Sequence, residues 1–369
     1  MKKCLLVFIA SAILGSAYGQ PSRREVSIPD ILGYKSLKCE LHIHTVYSDG
    51  LIWPTYRVQE AWEDGLDAIA LTDHIEYRPH LKDDLNKPYD IALPKAEELD
   101  ILLIKGVEIT KGMPPGHLNA LFISDANAIE NKDPLTSIQN AAKQGAFITW
   151  NHPGWKAQQF DTVRWWDIHT EIYNAKQLHG IEVVGFHGEY FPEALEWANE
   201  KHLTMIGATD IHEPIRNEFS YPNEHRTMTI VFAKERTVES LKEAMFAGRT
   251  VVYAKNMLIG KAEFLKPIFH QSVTVTKPVK IRNKKYATIM VYNSSDIPYE
   301  FTVDKDSDVR CIEKIILKPH QTTLVPVRGM AEYVDTTRNI EIPITIRSLW
   351  TAHETPLKTK LKVKNDLNN

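Results

Sequence analysis

The residues best suited to chemistry in this chain are histidines and carboxylates at the ends of predicted strands. His42 and His44 are two residues apart in one predicted strand, so both side chains project to the same side. Two converging imidazoles can ligate a metal ion. A single pair of this kind is weak evidence, because a chain with 15 histidines contains one by chance about as often as not.

The remaining predicted strands supply the supporting context. Ligand-type side chains stand at nearly every strand end, and one opens the fourth strand. Any one of them alone would be read as a hydrogen-bonded core histidine or a solvated carboxylate, but together on one rim they predict a metal cluster. They are Asp73, His74, Glu108, His117, His152, Asp210 and His212.

The elements that must position these side chains follow from hydrophobic periodicity. Apolar runs alternate with amphipathic helices that begin near Pro54, Pro134, Pro192 and Thr237, which predicts an α/β fold with a parallel sheet closed into a barrel. The predicted strands cover residues 37–44, 67–72, 101–109, 118–123, 146–151, 180–185 and 203–209.

The hydrophobic pattern changes near residue 269. From there, short alternating strands separated by turn residues predict a small antiparallel β-sandwich of immunoglobulin type with no helix. Its strands are predicted at 272–276, 287–292, 299–303, 311–317, 322–327, 340–346 and 358–363. The predicted organisation is therefore a signal peptide over 1–19, an N-terminal extension over 20–36, a barrel over 37–262 and a β-sandwich over 263–369.

The composition and the N-terminal sequence indicate the cellular location and limit the classes of partner. Lys2 and Lys3 precede an apolar run too short to span a bilayer, and small residues before Gln20 suit cleavage, so we expect a periplasmic or secreted protein with no membrane span. A net charge of −3 argues against nucleic acid as a stable partner. No oligomeric state is predicted.

The order and the residues of these motifs resemble those of the polymerase and histidinol phosphatase (PHP) family. The resemblance runs through residues 37–212 and implies a distorted (β/α)7 barrel. Flanking segments around residues 28–31, 60–62, 73–79 and 113–117 further resemble the exported branch that degrades organophosphate diesters. The matching motifs are His-x-His-Thr-x-x-Ser-Asp-Gly at 42–50, Thr-Asp-His at 72–74, the strand of Glu108, Gly-His-Leu-Asn at 116–119, Asn-His-Pro at 151–153 and Asp-x-His at 210–212.

The resemblance implies three divalent metal ions. The first would be held by His42, His44, Glu108 and Asp210, the second by Glu108, His117 and His152, and the third by Asp49, His74 and His212. Mixed imidazole and carboxylate ligands suit Zn²⁺, Mn²⁺ or Fe²⁺ and do not choose among them.

Such a cluster suits hydrolysis of a small phosphate ester, because a metal-bridging hydroxide can attack phosphorus while the ions neutralise its oxygens. Phosphodiesters are favoured on the branch resemblance, and phosphomonoesters are the alternative. An amidohydrolase and a non-catalytic binding protein are lesser alternatives. Arg78, His80 and His187 are candidates for binding a phosphate oxygen or protonating the leaving group.

Overall fold

The computed structural model describes residues 22–79, 82, 84–219, 225–276, 278–280, 286–304, 307, 309–311, 314–330 and 339–363. The predicted signal peptide and the predicted catalytic residue His80 lie outside these ranges. Within them, no helix is both long enough and apolar enough to cross a bilayer.

A ring of seven strands forms the first part of the fold, as predicted, and confirms the α/β fold class. Its neighbours run in the order β1-β2-β3-β4-β5-β6-β8, and a parallel bridge between Ile43 and Ile211, just past β8, closes the ring on β1. The short β7 pairs with β6 outside the ring. The strands are β1 Lys35–Ile43, β2 Ala68–Leu71, β3 Leu102–Thr110, β4 His117–Leu121, β5 Phe147–Trp150, β6 Gly180–Gly185, β7 Glu189–Tyr190 and β8 Thr204–Gly207.

The expectation of a uniformly parallel sheet is wrong at β4, which is antiparallel to both β3 and β5. Only six residues, 111–116, join β3 to β4. A parallel crossover needs a dozen or more residues, so this chain must turn straight back. The reversal places His117, the first residue of β4, at the same rim as the last residues of the parallel strands.

Seven α-helices accompany the strands within the described ranges. The four predicted helix starts are confirmed, with proline as the first residue of three helices and the Thr237 side chain accepting a hydrogen bond from the amide of Ser240. The second, fourth and seventh helices were not predicted, and the seventh contradicts the expected absence of helix after residue 269. The helices are α1 Pro54–Glu63, α2 Lys87–Glu98, α3 Pro134–Lys143, α4 Asp167–Asn174, α5 Pro192–Glu200, α6 Val238–Phe246 and α7 Ala262–Ser272.

Three antiparallel strands extend the sheet beyond β1, and the C-terminal strands form the predicted immunoglobulin-like sandwich. One sandwich sheet contains β12, β13, β14 and β17, and the other contains β15, β16, β18 and β19. The strands are β9 Met228–Ala233, β10 Thr250–Ala254, β11 Met257–Gly260, β12 Val273–Val275, β13 Val279–Lys280, β14 Tyr286–Asn293, β15 Tyr299–Val303, β16 Ile315–Leu317, β17 Thr322–Arg328, β18 Ile340–Ala352 and β19 Thr355–Val363.

The two domains are joined by a shared sheet and a shared core. β18 runs past its predicted end and pairs in parallel with β11, with Leu349 opposite Leu258. Buried side chains of α7 belong to the same apolar cluster as those of the sandwich, and the Phe269 ring lies 5.1 Å from that of Tyr299. The two domains are therefore one continuous packed body along this junction.

Candidate metal centre

The end of β1 places the first two candidate ligands at the rim of the barrel. His42 and His44 are fully buried, and their Nε2 atoms are 3.1 Å apart. The chain turns sharply after them, and a Cβ on Gly50 would lie 2.7 Å from the carbonyl carbon of His44. Glycine is required at that position because the backbone approaches so closely.

Glu108, near the end of β3, lies at the middle of the cluster and is fully buried. Its Oε1 atom is 3.0 Å from Nδ1 of His117 and 3.4 Å from Nε2 of His42, while Oε2 contacts Nδ1 of His74. The pKa of Glu108 is held well below its usual range because the nearby His117 and His74 outweigh the effect of burial. The carboxylate is thus ionised and contacts imidazoles from three other segments.

The segment after β8 completes the buried part. Asp210 Oδ1 lies 2.9 Å from His44 Nε2 and 3.2 Å from His42 Nε2, and Asp210 adopts a positive φ of 53°. His152, which follows β5, has a positive φ of 29°. Non-glycine residues with positive φ are uncommon and cluster at functional sites, where surrounding contacts hold them in place.

A third group lies closer to solvent. Asp49 Oδ1 is 3.1 Å from His212 Nε2 and 3.4 Å from His74 Nε2. The pKa of Asp49 is held far below its usual value, because His212 and His74 outweigh its partial burial. Burial, together with the neighbouring His74 and His212, lowers the pKa of His44 to about 3, so that its imidazole is neutral and can act as a ligand.

The structure brings all nine predicted ligands together, and four overlapping sets have donor atoms within 4.8 Å of one another. The division among three ions stays a prediction, since His74 groups with Glu108 and His117 as well as with Asp49. The sets are His44, Asp49, His74 and His212; His42, His152 and Asp210; His42, His44 and Glu108; and His74, Glu108 and His117.

The donor set fits divalent cations. Oδ1 of Asp49 and Oδ1 of Asp210 are buried, and neither has a partner with hydrogen-bonding geometry, although histidine nitrogens surround both. Leaving a buried carboxylate oxygen without a donor is costly, and a cation between these oxygens and the imidazoles would satisfy it. Histidine nitrogens and carboxylate oxygens are ligands that transition metals accept.

A cavity of about 450 Å³ opens over the cluster. Trp155 lies edge-on to His117 and His152, with ring centroids 5.6 and 5.3 Å away. Among the residues that the structure describes, the lining contains no Lys or Arg. It consists of Asp49, His74, His117, His152, Trp155, His187, Asp210, His212, Glu213, Asn217 and Glu218.

The three predicted catalytic residues have different placements. His187 lines the cavity, and its Nδ1 lies 3.1 Å from Oε2 of Glu218. Arg78 pairs with Glu130 at 3.0 Å and is not part of the described lining. His80 lies outside the described residues.

Sequence reasoning missed two buried residues that support the cluster. Glu182 on β6 contacts His42 Nδ1 through Oε1 at 2.7 Å, and its Oε2 accepts the His152 amide at 2.7 Å. Arg57 on α1 donates to the carbonyl of His44 and to those of His212 and Glu213. A lone acidic residue inside the apolar strand 180–185 was an available signal, because buried carboxylates are rare unless paired.

Comparisons with known proteins agree with this arrangement. The PHP domain family matches residues 40–174, and an Ig-like domain family matches residues 273–362. A two-domain protein of Bacteroides vulgatus, described as containing a predicted PHP-like metal-dependent phosphoesterase, is 42% identical. That similarity covers 94% of this chain and 100% of the solved one, with a TM-score of 0.87.

Two further similarities are partial. A solved amidohydrolase of Chromobacterium violaceum is 16% identical over 49% of this chain and 89% of its own, with a TM-score of 0.38. A 5'-3' exoribonuclease of Haemophilus influenzae is 38% identical over 73 residues, which are 20% of this chain and 23% of that enzyme's length. On the strength of the full-length similarity, the chain belongs to the PHP family, in the two-domain form that joins a PHP domain to an immunoglobulin-like domain.

Proposed function

We propose that this protein is an exported, metal-dependent phosphoesterase that hydrolyses small phosphodiesters and binds three divalent ions of zinc, manganese or iron. The observation that carries the proposal is the convergence of nine ligand-type side chains, seven of them at least nine-tenths buried, beneath an open cavity of about 450 Å³. The full-length relative contains a predicted phosphoesterase, which supports the same class of reaction.

The nine candidate ligands would be divided among three ions. His42, His44, Glu108 and Asp210 would hold the deepest ion, while His117 and His152 beside Glu108, and Asp49, His74 and His212 nearer solvent, would hold two more. When bound, the ions supply Lewis acidity, which activates water and offsets the charge of the phosphoryl oxygens. The carboxylates are kept ionised by the surrounding imidazoles, and Trp155 lines one side of the cavity beside His152.

The charge of the cavity favours a small ester over a polynucleotide. Proteins that hold nucleic acid place Lys and Arg along the phosphates, and the described lining has none, whereas Glu213 and Glu218 add negative charge. The exoribonuclease similarity covers only a short segment, so an RNA oligonucleotide serves here as a comparison substrate. We expect it to be cleaved more slowly than a small diester.

The test is a metal-stripped preparation reloaded separately with Zn²⁺, Mn²⁺ or Fe²⁺. We expect metal-dependent release of p-nitrophenol from bis(p-nitrophenyl) phosphate, and about three ions per chain by elemental analysis. Replacing His42 and His44 with Asn should remove both activity and bound metal, whereas His202→Asn, at an exposed position, should change neither. The absence of metal-dependent release from any phosphate ester would refute the proposal.

Three alternatives are separated by the same assay. A higher kcat/KM for p-nitrophenyl phosphate than for the diester would make the protein a monoesterase, since the preference for diesters rests on the resemblance to one branch of the family. Release from an amide or lactone substrate but from no phosphate ester would favour an amidohydrolase. Tight metal binding with no turnover of any substrate would favour a binding protein.

Export rests on the N-terminal sequence alone. We expect the mature chain to begin near Gln20, and N-terminal sequencing of protein recovered outside the cytoplasm would test this. Recovery of the uncleaved chain from the cytoplasm would contradict export and leave the proposed reaction untouched.

A further inference from the structure

A histidine and a glutamate form a pair in the wall of the cavity beside the metal cluster. His187 follows β6, and Glu218 follows the short 3₁₀ turn Ile215–Asn217. His187 Nδ1 lies 3.1 Å from Glu218 Oε2, close enough for an ion pair although this buried oxygen has no partner with hydrogen-bonding geometry among the described residues, and both residues line the cavity. Their exposure differs sharply, because the Glu218 side chain is 9% exposed and that of His187 is 54% exposed.

The backbone holds His187 in an unusual conformation. Its φ is +52°, and it lies in a single 3₁₀ turn, Phe186–Gly188, between two strands that pair with each other. A non-glycine residue in this region is strained, and such strain persists where surrounding contacts impose it, commonly at functional sites. The turn presents the imidazole toward the cavity wall.

Glu218 is suited to orient this ring. Burial raises the pKa of Glu218 above its usual value, and His187 partly offsets that rise, so the carboxylate is best stabilised when the imidazole beside it is protonated. Because Nδ1 faces Glu218, a proton passed to a substrate would come from Nε2 of the same ring. A carboxylate beside one nitrogen of an imidazole is a common arrangement around catalytic histidines, in which it orients the ring.

We propose that His187, oriented by Glu218, protonates the departing oxygen of the ester in the phosphoesterase reaction. As the oxygen of a water molecule bonds to phosphorus, that water releases a proton to solvent, the bond from phosphorus to the leaving oxygen breaks, and its electron pair stays on the leaving oxygen. The leaving oxygen takes the proton from His187 Nε2 and departs as the alcohol. The imidazole then regains a proton from solvent. This proposal rests on the proposed function, and it makes His187 a catalytic residue and Glu218 a positioning residue.

The role of His187 is tested by its dependence on the leaving group. An alkoxide or phenolate is a poor leaving group without a proton, whereas p-nitrophenolate departs readily. For His187→Asn, we expect kcat/KM to fall by about 10²- to 10⁴-fold on methyl phenyl phosphate and by less than about 10-fold on methyl p-nitrophenyl phosphate. Asn tolerates positive φ, so the turn should keep its shape.

The matched control is His202→Asn, which removes an exposed histidine that also has a positive φ, 55°, and does not line the cavity. It should leave both rates unchanged. Metal content should equal that of the wild type in both variants. An equal loss on the two esters, or no loss on either, would overturn the proposal, whereas a wild-type protein with no metal-dependent hydrolysis would overturn the proposed function itself.

Glu218 is tested by a conservative pair and a double variant. Glu218→Gln should lower kcat on the phenyl ester by about 10-fold with little change in KM, and Glu218→Asp should restore part of it. Glu218→Gln combined with His187→Asn should be no worse than His187→Asn alone, because both act through one ring. Glu189→Gln, at an exposed position two residues from His187, is the control. Additive losses in the double variant would refute a shared role.

Chemical rescue distinguishes proton donation by His187 from a purely structural role. Adding imidazole to His187→Ala should restore hydrolysis of the phenyl ester in proportion to the imidazole concentration, and should not affect His187→Ala on the p-nitrophenyl ester. Failure of imidazole to restore any rate in a folded, metal-loaded variant would contradict proton donation by this ring.

Discussion

Glu182 controls the chemistry of two candidate ligands through its two oxygens. With Nδ1–H of His42 donating to Oε1, the Nε2 lone pair of His42 faces the cluster, and Oε2 at the same time accepts the His152 amide. A carboxylate on the far side of a ligating histidine fixes both the tautomer and the ring orientation. Glu182 is fully buried, so bulk water does not reach these contacts.

We therefore expect Glu182→Gln to weaken metal binding by about 10- to 100-fold. The amide has one accepting oxygen for two donors, so its NH₂ group must face either the His152 amide or Nδ1 of His42. The first is a clash of two donors, and the second forces a proton onto Nε2, which can then no longer bind metal. Competition with a chelator would measure this loss, with Glu171→Gln on the exposed side of α4 as the control. Retention equal to the wild type would contradict the role assigned to Glu182.

At the scale of elements, α1 clamps the segments that follow β1 and β8. The buried Arg57 guanidinium donates to the His44 carbonyl at 2.9 Å, to those of His212 and Glu213 at 2.8 and 2.7 Å, and to Glu60 at 2.8 Å. One rigid, planar fork thus fixes two strand ends that carry four of the candidate ligands.

Replacing Arg57 with Met should lower the free energy of unfolding by about 3 kcal/mol or more, because Glu60 would be left buried without its cation. Arg57→Lys should also destabilise the protein, since an ammonium has three donors and no planar fork. Urea unfolding of metal-free protein measures both. The control, Arg216→Lys, alters an exposed pair with Glu63 and should change stability by less than about 1 kcal/mol. A similarly small change in the free energy of unfolding for Arg57→Met would contradict the role of Arg57 in holding the two strand ends.

α4 is tied to the loop before His117 by His169. Its Nε2 donates to the Pro115 carbonyl at 2.8 Å, its Nδ1 accepts the Trp166 amide at 3.1 Å, and its ring stacks on Trp150 at 3.7 Å. Burial lowers the pKa of His169 from its usual value of 6.5 to about 4. Protonation would also turn Nδ1 into a donor facing another donor.

The sign of the pH effect follows. Between these two pKa values the unfolded chain binds the proton and the folded chain does not. The contribution of the neutral His169 to the free energy of unfolding is therefore complete above about pH 6.5 and is lost as the pH falls toward 4. Between about pH 7.5 and about pH 5, metal-free His169→Gln should lose about 1–2 kcal/mol less unfolding free energy than the wild type. His202→Gln should match the wild type, and equal losses in all three proteins would contradict this account.

Periodicity was sufficient to predict the seven strands of the ring and seven of the eight described strands of the sandwich, and strand-end motifs were sufficient to propose the nine ligands. It missed β9, β10 and β11, which extend the sheet beyond β1, and the two-residue strands β7 and β13. It also missed α2 and α7, which contain Pro94 and Pro267, and the eight-residue α4, because an internal proline or a short length weakens a helical pattern. It also missed Glu182, which lies 140 residues from His42, and Arg57, which lies 155 residues from His212. Contacts at such separations depend on how the barrel closes, and local pattern carries no information about that.

At the scale of the whole molecule, the domain boundary of the sequence is not a boundary of packing. β18 pairs with β11, Phe269 of α7 contacts Tyr299 and Phe301 of the sandwich, and Tyr190 of the barrel lies 3.0 Å from His353. The N-terminal extension adds a bond from the Ser27 amide to Asp296 at 2.6 Å. Separating the domains would expose the edge of β11 and an apolar face of α7, both of which carry a free-energy cost.

We therefore expect both domains to unfold in one cooperative transition. Calorimetry should give a single peak whose calorimetric and van't Hoff enthalpies agree. Phe269→Ala removes a ring that is 1% exposed at the junction and should cost about 3–5 kcal/mol, moving the whole peak to lower temperature. Leu324→Ala, on the exposed face of the sandwich, is the control and should leave the peak in place. Metal binds only in the barrel, but it should also move the entire peak to higher temperature. Two peaks, of which metal moves one, would mean that the shared sheet does not couple the domains.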